Sequence, residues 1–268
     1  MNGFVDTHCH LDDDRFADDR DQVLERAGAT GVTGVLIPAT ELASARAALD
    51  LAARYPGIGV AVGIHPLWCE KAGDPDRVMP ELRALTGDPA VVAIGEIGLD
   101  YYRGPAPELQ ERWLDAQLDL AAATGLPVIL HNREATGNLL ERLRAWGQRA
   151  DLPQPPGVLH AFSAGRAAAD FALAAGFYLG IGGMLTFRRA DEVRAVAAAA
   201  PADRLVLETD APYLAPEPLR GRRNEPALLR HVAERLAAVR ATDTEQIALQ
   251  TTGNAARLFP RLQPEGVQ

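Results

Sequence analysis

Short apolar runs alternate with longer amphipathic stretches along the whole chain. Eight runs have the β-branched and aliphatic composition of buried strands, and we predict strands at Gly3–Thr7, Val32–Ile37, Gly59–Ile64, Val91–Glu96, Pro127–His131, Val158–Ala161, Phe177–Ile181 and Leu205–Thr209. The runs are apolar throughout rather than alternating, as expected for strands that are covered on both faces. The pattern therefore predicts a sheet enclosed by helices.

Helical spacing of apolar residues fills most of the intervals between these runs. We predict helices at Glu41–Arg54 (with Thr40 as N-cap), Glu108–Ala123, Ala135–Arg149, Arg166–Ala175, Glu192–Ala200, Glu225–Arg240 and Asp243–Leu258. Strands that alternate with helices are joined by crossovers and run parallel. Eight such units in about 250 residues are typical of a (β/α)8 TIM barrel. We therefore expect an α/β fold in which residues 1–268 form one domain, since no stretch has the length of an interdomain linker.

Composition narrows the class of protein. Hydrophobic residues make up 47% and charged residues 24% of the 268, as in soluble folded proteins. The apolar runs fall short of the roughly 18 residues of a membrane helix, and the acidic start of the chain lacks the basic region of a secretory signal. Cys9 and Cys69 are the only cysteines, which excludes a disulfide framework. We expect a cytoplasmic protein with no membrane partner, long enough to act as a monomer.

Histidines are concentrated at the carboxyl ends of the predicted strands, where the active sites of such barrels form. Five of the six in the chain occupy these ends: His8, His10, His65, His131 and His160. His8 and His10 are two residues apart, so both side chains face the same side of a strand. The sixth, His231, lies on a predicted helix, where a surface role is expected.

Two carboxylates join the histidines at these ends, Glu96 and Asp210. Imidazole and carboxylate together suit zinc, manganese, iron or nickel, and more oxygen ligands favour magnesium. Six of these seven residues already exceed the needs of one ion, so we predict two divalent metal ions (Mg, Mn or Zn) bound by His8, His10, Glu96, His131, His160 and Asp210. Each histidine could alternatively be a hydrogen-bonded core or loop residue. Many two-metal barrels use a carbamylated lysine as the bridge, but Lys71, the only lysine, lies in a predicted loop; Glu96 is therefore the predicted bridge.

Seven ordered motifs resemble the TatD family of metal-dependent deoxyribonucleases, in the amidohydrolase-like superfamily. They are DTHCHLD (6–12), GIHP (63–66), GEIGLDYYR (95–103), LPVILHNREA (126–135), HAFS (160–163), LETDAPYLAP (207–216) and RRNEP (222–226). The resemblance as a whole extends from about residue 3 to Phe259. The resemblance implies the same six metal ligands. It also implies that His65 and Arg103 contact a substrate phosphate, and that the protein is a nuclease acting on DNA ends.

The predicted function is hydrolysis of ester bonds, in the first place as a 3′-to-5′ exodeoxyribonuclease. Two metal ions roughly 3.5–4 Å apart can clamp the attacking and leaving oxygens and activate a water. Asp210 would then take the proton of that water as general base, beside the bridging Glu96. His65 and Arg103 would meet the charge on the non-bridging oxygens. Glu208, one layer below Asp210, is expected to play a supporting part.

Two other functions are open at this point. A deacylase or esterase acting on aminoacyl-tRNA or another small ester would use the same site, because fold and ligands do not fix the substrate. A non-catalytic metal-binding or interaction protein is supported only by the acidic surface. The net charge of −9 argues against a long basic nucleic-acid track and favours short DNA ends or small esters. Aromatic residues in the predicted loops are candidates for base stacking or for simple loop packing: Trp68, Tyr101, Tyr102 and Tyr213.

Overall fold

Eight parallel strands, each paired with its neighbour in chain order, form the centre of the molecule. The structure is a computed structural model and describes residues 3–264. The strands are β1 (Phe4–Asp6), β2 (Val32–Pro38), β3 (Ile58–Val62), β4 (Val91–Asp100), β5 (Val128–Arg133), β6 (Gly157–Leu159), β7 (Tyr178–Ile181) and β8 (Leu205–Leu207). The backbone N–H of Thr7 donates to the carbonyl of Leu207 at 3.0 Å, which joins the first strand to the last. The predicted (β/α)8 barrel is confirmed.

The strands differ from the prediction mainly at their carboxyl ends. β1, β6 and β8 end before the histidine and carboxylate positions, whereas β4 continues four residues beyond Glu96 to Asp100. After β1 the chain stays extended but bonds alternately to both neighbours. Cys9 N–H donates to Leu36 O at 3.0 Å and His10 N–H to Ala211 O at 2.7 Å. The regular ladder is thus lost, while the segment remains fixed.

In the described part of the chain, ten α-helices surround the barrel: α1 (Arg20–Ala29), α2 (Leu42–Arg54), α3 (Cys69–Ala72), α4 (Pro75–Leu85), α5 (Pro107–Thr124), α6 (Thr136–Trp146), α7 (Arg166–Ala174), α8 (Asp191–Ala199), α9 (Leu229–Arg240) and α10 (Thr244–Leu258). Short 3₁₀ turns occur at Asp14–Phe16, Pro66–Trp68, Gly183–Thr186, Ala202–Arg204 and Pro226–Leu228. Within residues 3–264, no helix combines the length and apolarity needed to cross a membrane.

Three of these helices are absent from the sequence prediction, namely α1, α3 and α4. Helix α1 buries only Val23 and Ala27 among polar neighbours, so its apolar face is too narrow to give a clear period. Helix α4 contains Pro80, which argues against a helix on sequence grounds. The predicted helix Glu225–Arg240 is divided in the structure, because Pro226 begins a 3₁₀ turn before α9.

The last described residues of the chain cover the core inside the barrel at the amino ends of the strands. Phe259 and Leu262, which follow α10, pack in one cluster with inward-facing strand residues such as Val5 and Leu36. A Cβ on Gly59 would lie 2.7 Å from the side chain of Leu262, so glycine at this position leaves room for the leucine. The amino ends of the strands are therefore plugged, and the carboxyl ends hold the polar residues.

We expect Phe259→Ala to lower the free energy of unfolding by about 3–5 kcal/mol, because it removes a fully buried ring from the plug. Urea denaturation would measure the loss. The matched control is Leu249→Ala, since Leu249 lies on α10 and is 52% exposed; a change below about 0.5 kcal/mol is expected there. Equal losses in the two variants would contradict this account of the plug.

Candidate metal centre

The carboxylate of Glu96 lies at the centre of a cluster of imidazoles. Glu96 is on β4 and is 2% exposed. Five histidines contributed by the ends of β1, β3, β5 and β6 place a ring nitrogen within 3.7 Å of it: His8, His10, His65, His131 and His160. The barrel brings these residues together because the carboxyl ends of parallel strands meet at one rim.

One oxygen of Glu96 faces the end of β1. Its Oε2 lies 3.2 Å from His8 Nε2 and 3.6 Å from His10 Nε2. Asp210 completes this half: its Oδ1 is 3.5 Å from His10 Nε2 and 3.8 Å from His8 Nε2. The Asp210 backbone has a φ of +58°, a left-handed conformation that aspartate tolerates better than most residues. Ligand atoms of His8, His10 and Asp210 all lie within 4.8 Å of one another, a spacing that can hold a metal ion.

The other oxygen of Glu96 faces the ends of β3, β5 and β6. Its Oε1 lies 2.9 Å from His131 Nδ1, 3.5 Å from His65 Nε2 and 3.7 Å from His160 Nε2. The sequence predicts a substrate contact for His65, and the structure places its ring within ligand spacing of Glu96 and His131. His65 Nδ1 accepts a hydrogen bond from Leu67 N–H at 3.1 Å, so the ring proton is on Nε2. Burial lowers the pKa of His65, which keeps this donor neutral.

The two carboxylates of the cluster are anionic. Burial opposes the ionisation of Glu96, but the surrounding imidazoles, led by His65 and His8, hold its pKa well below its usual value. Burial likewise opposes the ionisation of Asp210, and a hydrogen bond from His10 lowers its pKa. Burial also lowers the pKa of His8 and favours the neutral ring, which is the form that binds metals.

The donor set fits a divalent metal ion. Both ring nitrogens of His8 are buried and have no hydrogen-bond partner among the described residues. Buried polar atoms are normally hydrogen-bonded, so such an atom calls for a missing partner. Neutral imidazole nitrogen beside carboxylate oxygen is the ligand chemistry of zinc and its neighbours. A metal ion would supply the partner that His8 lacks.

Glu208 lies directly behind His160. Its Oε1 is 3.0 Å from His160 Nδ1 and also accepts a hydrogen bond from the backbone N–H of Ala161. A Cβ on Gly180 would lie 2.3 Å from Glu208 Oε2, so the absence of a side chain on β7 makes room for this carboxylate. The expected supporting part of Glu208 thus has a geometric basis, since a carboxylate on the far nitrogen orients a metal-binding imidazole.

Asp100 makes the corresponding contact to His131, and this role was not predicted from the sequence. Its Oδ2 lies 3.2 Å from His131 Nε2, and the residue is 1% exposed. The signal was present, because Glu96, Gly98 and Asp100 are spaced by two along one strand and lie on one face. The predicted strand ended at Glu96, which left Asp100 in an assumed loop.

Asp6 fastens the ends of β1 and β8 beneath the cluster, and it too was not predicted. It accepts hydrogen bonds from the Thr209 backbone N–H at 2.9 Å and the Thr209 hydroxyl at 2.6 Å. A third, from His8 N–H, is 3.3 Å long. The backbone of His8 is thereby held against the segment that carries Asp210.

Arg103, a predicted substrate contact, and Lys71, the lysine predicted to lie in a loop, are both outside the cluster. Arg103 follows β4, its backbone N–H donates to Asp100 Oδ1 at 2.8 Å, and its side chain is exposed at the rim. Lys71 lies on α3, not in a loop, and its Nζ is 2.8 Å from Glu41 Oε1. Lys71 is therefore paired with Glu41 away from the cluster. Glu96 is the carboxylate that lies between the two sets of histidines.

The RRNEP segment holds the loop that follows Asp210. Asn224 is fully buried, and its side-chain amide donates to the carbonyls of Thr209 at 2.8 Å and Tyr213 at 2.7 Å. Arg223 pairs with both oxygens of Asp19 at 2.7 Å. The segment therefore ties the β8 loop to the start of α1.

Comparison with known proteins agrees with this geometry. A family model described as TatD related DNase matches residues 5–260. A protein of Erwinia tasmaniensis named 3′-5′ ssDNA/RNA exonuclease TatD is 41% identical, over 95% of this chain and 98% of its own. An uncharacterized metal-dependent hydrolase of Bacillus subtilis, YabD, is 36% identical over 95% and 98%. The crystal structure of YjjV, a TatD homolog from Escherichia coli, superimposes with a TM-score of 0.88 at 36% identity and covers 96% of this chain and 98% of its own.

We expect Glu208→Gln to weaken binding of zinc or manganese by roughly 10- to 100-fold, because the amide cannot supply the charge that orients His160. Competition with a chromophoric chelator would measure the affinity. The control is Glu234→Gln, since Glu234 faces the surface residue His231 at 3.6 Å. An unchanged affinity in Glu208→Gln would show that this contact does not support the metal centre.

Proposed function

Because the chain belongs to the family of TatD-related DNases and is a metal-dependent hydrolase of that type, we propose that it removes nucleotides from the 3′ end of single-stranded DNA. The observation that carries this proposal is that the two carboxylate oxygens of Glu96 face different sets of imidazoles. Such a site can hold two cations around one phosphate. The name of the Erwinia relative supports the choice of a phosphodiester substrate and its polarity.

We infer two divalent ions, magnesium, manganese or zinc, with Glu96 between them. His8, His10 and Asp210 would hold one ion, and His131 and His160 the other. Ions bound there supply Lewis-acid activation of water and neutralise charge on the reacting phosphate. The buried carboxylates Asp100 and Glu208 keep the imidazoles of the second set in place.

Asp210 is the proposed general base. Its side chain is 13% exposed, against 2% for Glu96, so it is the carboxylate of the cluster that entering water reaches. Its lowered pKa keeps it ready to accept a proton at neutral pH. His65 offers its Nε2–H to a non-bridging phosphate oxygen. Arg103 reaches the phosphate from the rim, where its planar group can donate to two oxygens.

The rest of the proposal concerns the state of the protein. All six proposed ligands come from one chain, which supports a monomeric enzyme. The whole chain, residues 1–268, is proposed to be a single domain, with residues 1, 2 and 265–268 lying outside the described part. Cys9 and Cys69 are both buried free thiols, which suits the reducing cytoplasm.

The decisive experiment is a substrate panel run with each of the three metals. We expect hydrolysis of 5′-labelled single-stranded DNA from its 3′ end, and a loss of about 10²- to 10⁴-fold in kcat for Asp210→Asn, because the general base is removed. Asp203→Asn is the control, since Asp203 precedes β8 at the opposite end of the barrel. Cleavage of aminoacyl esters with DNA left intact would instead support the deacylase. If the wild-type protein and both variants all left the DNA intact, the proposed nuclease activity would be refuted.

We expect Arg103→Ala to raise KM for DNA by roughly 10-fold or more, because a hydrogen bond to a charged group contributes about 1.5–3 kcal/mol. Steady-state kinetics would separate this from kcat, which should change less. Arg112→Ala is the control, because Arg112 is also exposed and pairs with Asp74 at 3.3 Å, away from the rim. An unchanged KM would remove Arg103 from the substrate site.

A further inference from the structure

Exposed aromatic side chains stand around the metal centre. Among the described residues, four large hydrophobic side chains are exposed, and three of them follow strand ends at the rim: Leu67, Tyr102 and Tyr213. Tyr102 is 57% and Tyr213 48% exposed. Single exposed hydrophobic residues are common on protein surfaces, but at the rim of a polar cleft an exposed aromatic face is available to a ligand. The other two aromatic candidates, Trp68 and Tyr101, are less open, because both are half-buried and the hydroxyl of Tyr101 donates to Glu111.

Tyr213 is built into the half of the centre that contains Asp210. Its backbone N–H donates to the carbonyl of Asp210 at 2.8 Å, and its ring stands edge-on to His10 with centroids 5.9 Å apart. The guanidinium of Arg15 lies 4.3 Å from the centre of the ring. Arg15 is itself fixed by a two-point contact with Asp13, at 2.9 and 2.7 Å.

The RRNEP segment holds both members of this pair. Asn224 donates to the Tyr213 carbonyl at 2.7 Å, and Arg223 donates to the Arg15 carbonyl at 2.7 Å. A ring held through its own backbone and through its cationic partner presents a rigid surface. Rigid aromatic surfaces bind with little loss of side-chain entropy.

Tyr102 has the same construction on the other half of the centre. Its backbone N–H donates at 3.0 Å to Asp100, the carboxylate that contacts His131. The guanidinium of Arg133, the last residue of β5, lies 4.2 Å from the centre of the Tyr102 ring. Tyr101 N–H donates to the Arg133 carbonyl at 2.9 Å, which holds the pair in register.

The two rings lie across the barrel mouth from each other. Tyr213 follows β8 next to the end of β1, whereas Tyr102 follows β4 next to the end of β5, and these strand pairs are four positions apart in an eight-stranded ring. A chain that passes over Glu96 from one ring to the other therefore places its reacting phosphate between them.

We propose that Tyr213 and Tyr102 are two base-stacking subsites, one on each side of the scissile phosphate, that bind unpaired bases of a single-stranded nucleic acid. The inference rests on the proposed nuclease function and deepens it. Every base has a face that stacks on an aromatic ring, so such subsites tolerate any sequence. Arg15 and Arg133 each lie over one face of a ring, so a base would stack on the opposite face. Their positive charge would meet the phosphates of the bound strand. Bases in a duplex are stacked on each other and cannot occupy these rings.

The test uses a 5′-labelled oligothymidylate and two copies of it that lack one base, at the 3′-terminal or the penultimate nucleotide. These two bases flank the phosphate that a 3′ exonuclease cleaves. For the wild-type protein, loss of either base should raise KM about 10-fold, the change that corresponds to about 1.4 kcal/mol of stacking. Tyr213→Ala should raise KM on the complete strand by a similar factor and become insensitive to loss of one base. Tyr102→Ala should become insensitive to loss of the other.

Control variants separate stacking from general damage. Tyr213→Phe and Tyr102→Phe keep the ring and should retain the wild-type pattern. Tyr55→Ala removes a tyrosine that pairs with Arg54 at the opposite end of the barrel, and it should also behave as wild type. If both alanine variants remain as sensitive to each missing base as the wild type, the subsites are refuted while the nuclease stands. If the wild type cleaves no DNA, the proposed function itself has failed.

Discussion

A carboxylate buried in a protein stays ionised only where positive or hydrogen-bonding groups surround it. Glu96 is such a carboxylate, and the mouth of the barrel is organised to meet its requirement. Its two oxygens face different sets of imidazoles, so the charge is divided between two halves of one site. This division is the basis for the proposal that a single side chain lies between two cations. The strand ends supply the imidazoles because only the closed barrel brings β1, β3, β5 and β6 to one rim.

The same requirement explains the layer beneath the site. Asp100 and Glu208 face the far nitrogens of His131 and His160, and Asp6 ties β1 to β8. Each of these carboxylates is almost fully buried, which is costly unless its oxygens are partnered. Asp100 and Glu208 contact the rings of His131 and His160 and hold them in one orientation. An imidazole that is fixed in tautomer and orientation binds a metal more tightly than one that must first be arranged.

The net charge of the chain does not describe the local charge at the barrel mouth. The net charge is −9, yet two divalent ions would add four positive charges at the mouth. The rim adds arginines stacked on exposed tyrosines rather than a long basic groove. Binding through short-range stacking and a local positive field needs only a few nucleotides. Under the proposed function, such a surface would suit the end of a nucleic-acid strand better than its length.

Much of this protein was determined by the sequence alone. Alternating strand and helix patterns predicted the barrel, and seven motifs predicted the family; both are confirmed. The proposed ligands could also be named, because five histidines and two carboxylates fall together at the ends of predicted strands; their binding of metal stays a prediction. Helix α1 was missed because it buries only a narrow face and shows little periodicity, and α4 was missed because Pro80 argues against a helix.

Only the tertiary structure decided which of the proposed ligands face each oxygen of Glu96 and which residues support them. Asp100 lies within a familiar motif, but its contact with His131 depends on the pairing of β4 with β5. The pairing of Tyr213 with Arg15 joins residues almost two hundred positions apart in the chain. Spacing along one strand reveals which face a side chain occupies. Which oxygen meets which ring, and which rings remain open to a substrate, depends on the closure of the barrel and on loops that approach each other only after folding.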